Sequence, residues 1–437
     1  MTPSTSATAR TTSFRRIVLA AAVVTLGTLT GFPHLLAAKE LADRPGWVLE
    51  SATPPEVPAA EAAILIDAAT GTVLFEKNAD RIIPPASLTK IVSIHTARLL
   101  AQDQGLDLDT PAPVPEDARA ANMPPRSSLM FLGPDQEVSL WDLFRGMAVA
   151  SGNDAAVATA IRTAGSVNAF VDAMNHVVRE AGYEVMRFAD PAGLSSRNRI
   201  TAREYADFLR QYIAQWPAAL EELHSVRSLT YPQPANYGGA MRGGAITQYN
   251  GNGLLASYRG ADGIKTGFIW ASGYNLAATA DRNGFRLIAV VLGVEATSHQ
   301  LGGLLREDVA STLLDYGFEN FEPRTLAVPG VPPLRVWKGS ARRVEVAAPA
   351  EIDVIVPARG ATELRGVIDV ESEVTAPVAA GQPVGEIRYT LGNEVVERVT
   401  VSAREEVPRG GLFRRIWHSI VLALRNLRER IAQDESG

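Results

Sequence analysis

The sequence predicts a mixed α/β domain, followed by a small all-β domain and an amphipathic helix at the carboxyl end. Three observations predict this order. Strand-like runs bracket a series of helical patterns between residues 61 and 322, short segments rich in β-branched residues fill 323–407, and apolar residues recur at three- and four-residue steps in 408–437. The length of 437 residues suffices for two or three domains with a sizeable core.

Composition excludes several classes of protein. The chain contains no cysteine, which rules out disulfides, thiolate catalysis and cysteine metal sites. Its 6 histidines include no His-Glu-x-x-His run, and we expect neither a metal nor a cofactor. Acidic residues outnumber basic ones, 48 to 42, so we do not expect a protein that is basic overall and binds nucleic acid.

The amino-terminal segment 1–38 is typical of an export signal. Arg15 and Arg16 precede an apolar run of about 15 residues, shorter than the roughly 20 that span a bilayer, and small residues follow at 37–38. We expect a cleaved signal peptide, with an uncleaved anchor and a twin-arginine signal as alternatives. Residues 39–60 are expected to form a linker, rich in proline and alanine at its end.

The first domain, 61–322, is expected to contain two strand regions around a set of helices. The patterns predict a β-hairpin at 62–76, an irregular excursion at 107–136 and strands at 274–280 and 286–294. Helices are predicted at 86–100, 141–164, 168–181, 201–213 and 298–316. Thr201 is expected to cap the helix that it precedes. The second domain, 323–407, shows short β segments and no chemical constellation, so its expected role is structural.

The carboxyl-terminal segment 408–437 is expected to be a membrane-binding helix. From 409 to 430 the chain has six arginines and one acid, whereas 39–408 carries 33 basic and 45 acidic side chains, a balance of −12. Apolar residues of the segment form one stripe, and Trp417 suits the headgroup layer. Such a helix lies in the membrane interface and is attracted to anionic lipid. The alternative is a helix packed on the body of the protein.

A first short motif pairs a serine with a lysine. Ser87 and Lys90 are three residues apart, so on a helix they share a face and the amine can reach the hydroxyl. Serine needs an adjacent base to become a nucleophile, and lysine can serve if burial lowers its pKa. Taken alone, the motif equally fits a solvated lysine beside an N-cap serine.

Two further motifs follow in the chain. Ser151 and Asn153 offer a hydroxyl that can relay a proton and an amide that can bind a substrate carbonyl and hold the lysine, although an ordinary polar turn fits as well. Lys265, Thr266 and Gly267 suit a strand edge: the first two can bind a carboxylate, and the glycine lets a substrate backbone approach closely.

The three motifs in this order resemble the catalytic set of penicillin-binding proteins and serine β-lactamases. The longer runs 76–90, 151–155, 262–268 and 382–385 resemble the D-alanyl-D-alanine carboxypeptidases, the low-molecular-mass serine-type penicillin-binding proteins of peptidase family S11. The resemblance extends from about residue 62 to the end of the chain. It implies an α/β (α+β) fold of the penicillin-binding-protein and β-lactamase type, with a five-stranded antiparallel sheet covered by helices.

The resemblance also implies a reaction. Ser87 is then the acylated nucleophile, Lys90 its general base and Ser151 the proton relay, while Asn153 orients the substrate. The implied enzyme is periplasmic, lies on the inner membrane and removes the terminal D-alanine from peptidoglycan pentapeptides.

Other residues receive their expected roles from the same resemblance. Lys265 and Thr266 are expected to receive the terminal carboxylate, helped by Arg210, and the backbone N–H groups of Ser87 and Phe268 are expected to form the oxyanion hole. The chain departs from the family at two positions, Ile269 and Ala192, where many relatives have threonine and histidine.

The expected partners are the peptidoglycan stem pentapeptide, β-lactam antibiotics and an anionic inner-membrane surface, without nucleic acid. Two alternatives stay open at this point. The same residues suit a D,D-endopeptidase that cuts cross-links, and the fold suits a non-catalytic protein that binds the cell wall. A β-lactamase is disfavoured because it needs neither a β-domain nor an anchor helix.

Overall fold

The structure is a computed structural model that describes residues 53–239, 243–358, 364–391 and 394–434. The expected signal peptide and most of the expected linker lie outside the described residues. Within the described ranges, no helix combines the length and the hydropathy needed to cross a bilayer.

A five-stranded antiparallel sheet forms the centre of the first domain, as the family resemblance implies. Its order is β2-β1-β9-β8-β7, so β7 lies at an edge. The strands of the first domain, in chain order, are β1 (Ala62–Asp67), β2 (Val73–Lys77), β3 (Ala112–Pro113), β4 (Glu137–Val138), β5 (Ser228–Tyr231), β6 (Ile246–Tyr249), β7 (Ala261–Ile269), β8 (Gly273–Arg282) and β9 (Phe285–Val294). The short pairs β3–β4 and β5–β6 form separate ribbons.

Helices cover both faces of the sheet. They are α1 (Thr89–Gln104), α2 (Leu140–Ala148), α3 (Asn153–Ala164), α4 (Val167–Glu180), α5 (Ala202–Gln215), α6 (Leu254–Ser257) and α7 (His299–Asn320). The larger apolar core packs α1 to α5 against one face, and a second core packs α7 against the other. As predicted, the Thr201 side chain caps α5, accepting from the Glu204 N–H at 3.0 Å.

One predicted helix is two helices. The continuous helix expected over 141–164 ends at Ala148, and α3 begins at Asn153. Between them Ser151 has φ 56°, in the left-handed region, which a right-handed helix excludes. Apolar periodicity alone did not reveal this break, because the residues on both sides of it are buried.

The chain beyond α7 forms small β-sheets. The strands are β10 (Phe321–Ala327), β11 (Leu334–Trp337), β12 (Arg343–Val344), β13 (Val346–Ala347), β14 (Glu351–Pro357), β15 (Leu364–Val370), β16 (Glu373–Thr375), β17 (Pro383–Leu391) and β18 (Glu394–Ala403). They enclose an apolar core that includes Val336, Ile387 and Val401.

The terminal helix α8 (Leu412–Asp434) rests on these sheets by polar contacts. Arg414 donates to the carbonyl of Ser340 at 2.6 Å, His418 Nδ1 accepts from the Lys338 N–H at 2.7 Å, and Arg425 pairs with Glu373 at 2.6 Å. Seven large apolar side chains of α8 stay exposed: Leu412, Phe413, Ile416, Trp417, Ile420, Leu424 and Leu427. The helix therefore docks on the body through one face and presents an apolar surface to solvent.

Candidate active site

Ser87 stands at the start of the helix that crosses the first core. It belongs to a short 3-10 turn, Ala86–Leu88, that leads directly into α1, and it is partly exposed. Ala86, just before it, has φ 52°, a left-handed conformation that costs a non-glycine residue about 1 kcal/mol or more. Such strain concentrates at functional sites. The turn presents Ser87 at the end of the helix next to β7.

Lys90 lies one turn further along the same face, as the spacing predicts. Its side chain is completely buried, and its Nζ lies 3.0 Å from Ser87 Oγ. The same Nζ donates to Asn153 Oδ1 at 2.8 Å and to the Ala192 carbonyl at 2.6 Å. The two carbonyl-type oxygens accept both hydrogens of a neutral amine, so its lone pair is left to face the serine.

Burial lowers the pKa of Lys90 to about 7, against the opposing negative charges of Asp190 and Asp154. Near neutral pH a large fraction of the amine is therefore uncharged. An uncharged amine 3.0 Å from a hydroxyl is a competent general base.

Asp154 holds the second motif in place. Its buried carboxylate accepts the backbone N–H groups of Met130, Phe131 and Leu132 at 2.8 to 3.0 Å, and that of Ala155 at 2.9 Å. Burial raises its pKa, and these four hydrogen bonds act in the opposite direction. The carboxylate thus fixes the 130–132 segment beside the start of α3, where Ser151 and Asn153 lie. The Ser-x-Asn motif did not single out this residue, although Asp154 follows it directly.

A second carboxylate shapes the other side of Lys90. Asp190 accepts the N–H groups of Ala192, Gly193, Leu194 and Ser195 at 2.6 to 3.1 Å and so closes a tight turn. The turn directs the Ala192 carbonyl at Lys90. Gly193 is required there, because it has φ 86° and a Cβ would lie 1.9 Å from the Ala86 carbonyl oxygen.

The third motif lies on β7, on the free edge of the sheet. Lys265 is buried, and burial, together with the charges of Lys90 and Arg306, places its pKa well below its usual range. Gly267 passes so close to the serine turn that a Cβ would lie 3.0 Å from the Ser87 backbone nitrogen. The backbone of Gly267, which directly precedes Phe268, therefore lies close to the backbone of Ser87. The structure therefore assembles the three motifs, far apart in sequence, in one place.

One functional candidate was missed in the sequence. Arg306 on α7 donates to the Gly251 carbonyl at 3.1 Å, and a Cβ on Gly251 would lie 3.1 Å from Thr266 Oγ1. The positive charge of Arg306 helps to lower the pKa of Lys265. Arg306 therefore adds a positive charge beside the Lys265–Thr266 pair. No local motif marks it, since it comes from a helix on the opposite face of the sheet.

Arg210 lies elsewhere. Its Nε and Nη2 bind Asp207 Oδ1 on its own helix at 3.1 and 3.0 Å. The positive charge of Arg210 acts to lower the pKa of Asp67, which is the last residue of β1. In the sheet, β1 lies three strands away from β7. The contacts of Arg210 thus lend no support to its expected role at the substrate carboxylate, and that role stays a prediction.

The arrangement suits nucleophilic acyl transfer to a substrate that ends in a carboxylate. A serine and an amine with a lowered pKa lie 3.0 Å apart, and the amine of Lys265 and the charge of Arg306 lie nearby. Within the described ranges, no cluster of three or more histidine or carboxylate side chains could hold a metal ion.

Comparisons with known proteins agree with this chemistry. The family model described as D-alanyl-D-alanine carboxypeptidase matches residues 49–296, and the one described as Penicillin-binding protein 5, C-terminal domain, matches residues 321–409. D-alanyl-D-alanine carboxypeptidase DacC of Escherichia coli (strain K12) is 33% identical over 370 residues, which cover 83% of this chain and 88% of the relative. A D-alanyl-D-alanine endopeptidase of Pseudomonas aeruginosa is 31% identical over only 178 residues, 40% of this chain and 55% of the relative.

Solved structures show the same similarity. Penicillin binding protein 5 from Haemophilus influenzae has a TM-score of 0.72 and 30% identity, covering 82% of this chain and all of the other. Penicillin-Binding Protein D2 from Listeria monocytogenes in the cefotaxime-bound form has a TM-score of 0.51 and 26% identity, covering 61% of this chain and 100% of the other. The fold class predicted from the resemblance is confirmed.

Proposed function

Because the chain belongs to the D-alanyl-D-alanine carboxypeptidase family, we propose that it releases the terminal D-alanine of peptidoglycan pentapeptides through an ester on Ser87. The enzyme class, a serine-type D-Ala-D-Ala carboxypeptidase, follows from that membership. The proposal for its residues rests on one observation above all. A fully buried Lys90 places its Nζ 3.0 Å from Ser87 Oγ.

In the first half of the reaction, Ser87 Oγ attacks the carbonyl carbon of the penultimate D-alanine while Lys90 takes the hydroxyl proton. The negative charge that develops on the carbonyl oxygen is received by the backbone N–H groups of Ser87 and Phe268. The carbon–nitrogen bond then breaks, and the leaving amine of D-alanine takes a proton through Ser151. An ester on Ser87 remains.

In the second half, water attacks the ester while Lys90 takes a proton from the water. The bond between the acyl carbon and Ser87 Oγ then breaks, Lys90 returns the proton to Oγ, and the shortened peptide leaves as a carboxylic acid. Asn153 acts in both halves. Its Oδ1 holds Lys90 at 2.8 Å, and its amide nitrogen is the group proposed to donate to the substrate carbonyl.

Carboxylate recognition is proposed for Lys265 and Thr266, with Arg306 adding charge behind them. Burial and neighbouring cations disfavour the charged form of Lys265, and an incoming carboxylate would offset this effect by stabilising the proton on the amine. A substrate whose carboxyl end is free gains this interaction, whereas an internal peptide bond does not. This difference, together with the short match to the endopeptidase, favours carboxypeptidase over endopeptidase activity.

β-Lactam binding is part of the same proposal. A structural relative has been solved with cefotaxime bound. A β-lactam would acylate Ser87 in place of the peptide, because its ring carbonyl and carboxylate meet the same groups. Labelling with fluorescent penicillin tests this directly.

We further propose that the enzyme acts on the periplasmic side of the inner membrane and is held there by α8. The seven exposed apolar side chains of this helix, with its arginines, suit the interface of a bilayer that contains anionic lipid. The polar contacts of Arg414 and His418 with the β-domain leave this apolar surface free. Export would depend on the expected signal peptide 1–38.

The function is tested by incubating the protein with a pentapeptide and following D-alanine release by mass spectrometry, beside a cross-linked dimer as competing substrate. The wild type should release D-alanine and carry penicillin on Ser87, and Ser87→Ala should do neither. A wild type that neither cleaves nor labels would support the non-catalytic alternative, and preferential cleavage of the dimer would support the endopeptidase.

The membrane proposal has its own test. Truncation after Val407 should abolish sedimentation with vesicles that contain anionic lipid and should leave D-alanine release unchanged. If the truncated protein still sediments, α8 is not the anchor.

A further inference from the structure

Trp270 is the most exposed large apolar side chain among the described residues that precede α8, with 85% of its surface accessible. It is the first residue after β7 and begins the turn to β8. An indole that is almost wholly exposed contributes little to the core, so packing does not explain its presence. Its position, two residues after Phe268, places it beside the site.

A row of rings supports Trp270 from behind. Its ring lies edge-on to Phe268, with centroids 5.2 Å apart, and Phe268 in turn packs on Tyr274 at 4.4 Å and on His299 at 4.7 Å. The indole is therefore supported by Phe268 and by His299, whose ring centroid lies 6.1 Å from its own, and most of its surface is open to solvent. This is the form of a surface ready to receive an apolar group.

The direction of the substrate along β7 follows from the proposed function, on which this inference rests. The terminal carboxylate lies at Lys265 and Thr266, and the scissile carbonyl lies at Phe268. A peptide bound along this free strand edge runs antiparallel to β7, as in β-strand addition. From Phe268 to Trp270 the strand advances about 7 Å, at roughly 3.3 Å per residue. The ring thus lies beside the residues that precede the D-Ala-D-Ala pair.

We propose that Trp270 is a specificity-determining residue that contacts the third and fourth residues of the stem peptide, counted from its carboxyl end. The indole face offers contact to the methylene groups of a long third side chain, and an amine at the end of that chain is attracted to the ring. The contact lies outside the reacting atoms. It therefore favours peptides that extend beyond the D-alanyl-D-alanine unit.

The test compares two substrates, N-acetyl-D-Ala-D-Ala and the full pentapeptide, in the full-length protein. Trp270→Ala should lower kcat/KM for the pentapeptide about 5- to 10-fold and should leave that for the dipeptide within about twofold. Trp270→Phe should restore most of the difference, since an aromatic face remains. Tyr249→Ala is the matched control, another strongly exposed aromatic residue, and should leave the ratio of the two kcat/KM values unchanged.

Two outcomes would overturn the proposal. Unchanged kcat/KM values for both substrates in Trp270→Ala would remove the contact, and an equal loss on both would show that the ring acts only by supporting Phe268. Pentapeptide binding to Ser87→Ala, measured by calorimetry with and without Trp270→Ala, provides a readout that needs no turnover. There the Kd should rise by the same 5- to 10-fold, about 1 to 1.4 kcal/mol. This measurement tests the contact between Trp270 and the peptide even if no hydrolysis is observed.

Discussion

The catalytic site and the β-domain use charge in opposite ways. At the site, Lys90 is fully buried and its Nζ lies within 3.0 Å of three oxygen atoms. Two carboxylates there, the buried Asp154 and the half-buried Asp190, each accept hydrogen bonds from four backbone N–H groups. In the β-domain, charged side chains meet near solvent, as Arg388 and Asp369 do at 2.9 Å. Similar distances therefore occur in two very different surroundings.

An ion pair or hydrogen bond changes the reactivity of a side chain only where water is excluded. Water screens the surface pairs, which contribute about 0 to 1 kcal/mol each. Exclusion of water shifts the pKa of Lys90 by several units, and such a shift is what converts a lysine into a base.

Lys90→Met should lower the rate of Ser87 acylation by about 10³- to 10⁴-fold, because the base is lost while a side chain of similar length remains. Stopped-flow labelling with penicillin measures this rate. Lys338→Met, a lysine of the β-domain outside the site, is the control and should acylate normally. Near-normal acylation in Lys90→Met would mean that another group is the base.

Asp154→Asn should lower the free energy of unfolding by about 2 to 4 kcal/mol, because the new NH₂ group faces backbone N–H donors and leaves some of them unpaired in the interior. Urea unfolding followed by circular dichroism measures the change. Penicillin acylation should also slow, since the 130–132 segment loses its anchor. A change of less than about 0.5 kcal/mol would mean that the site tolerates water at this position.

The pH dependence of acylation should follow Lys90. Its pKa of about 7 lies below that of an exposed lysine, so the reactive neutral form increases as pH rises through 7. From pH 6 to pH 8 the rate constant should rise about tenfold and then level off. A rate that is flat over this range would show that the protonation state of Lys90 does not control the step.

Arg306→Gln should raise KM for the pentapeptide by about 5- to 10-fold, through the lost charge beside Lys265. Arg210→Gln, bound to Asp207 on another helix, should change KM less than twofold. Steady-state kinetics on the two variants decides between the two arginines. The reverse order would restore Arg210 to the role that the family resemblance assigned to it.

Asp369→Asn should change the free energy of unfolding by less than about 0.5 kcal/mol, because its partner Arg388 is screened by solvent. The measurement is the same urea titration used for Asp154→Asn. A loss as large as that of Asp154→Asn would contradict the contrast between the two regions.

Much of the fold was predictable because periodicity reports which residues are buried. The hairpin at 62–76, the helix capped by Thr201 and the strands around 274–294 all lie close to their predicted places. The break at Ser151 was not predicted by periodicity, since apolar residues recur at helical spacing on both sides of it, from 141 to 164.

The order of the motifs, the types of reactive group and the family can all be established from residue identity and short spacing. Which of these groups meet depends on the packed fold. Lys90 receives its partners from residues 63 and 102 positions further along the sequence, and the charge of Arg306, which lies on a distant helix, acts on the pKa of Lys265. The physical reason is that solvent exclusion and close approach arise from packing across the sheet, and no local pattern in the chain records them.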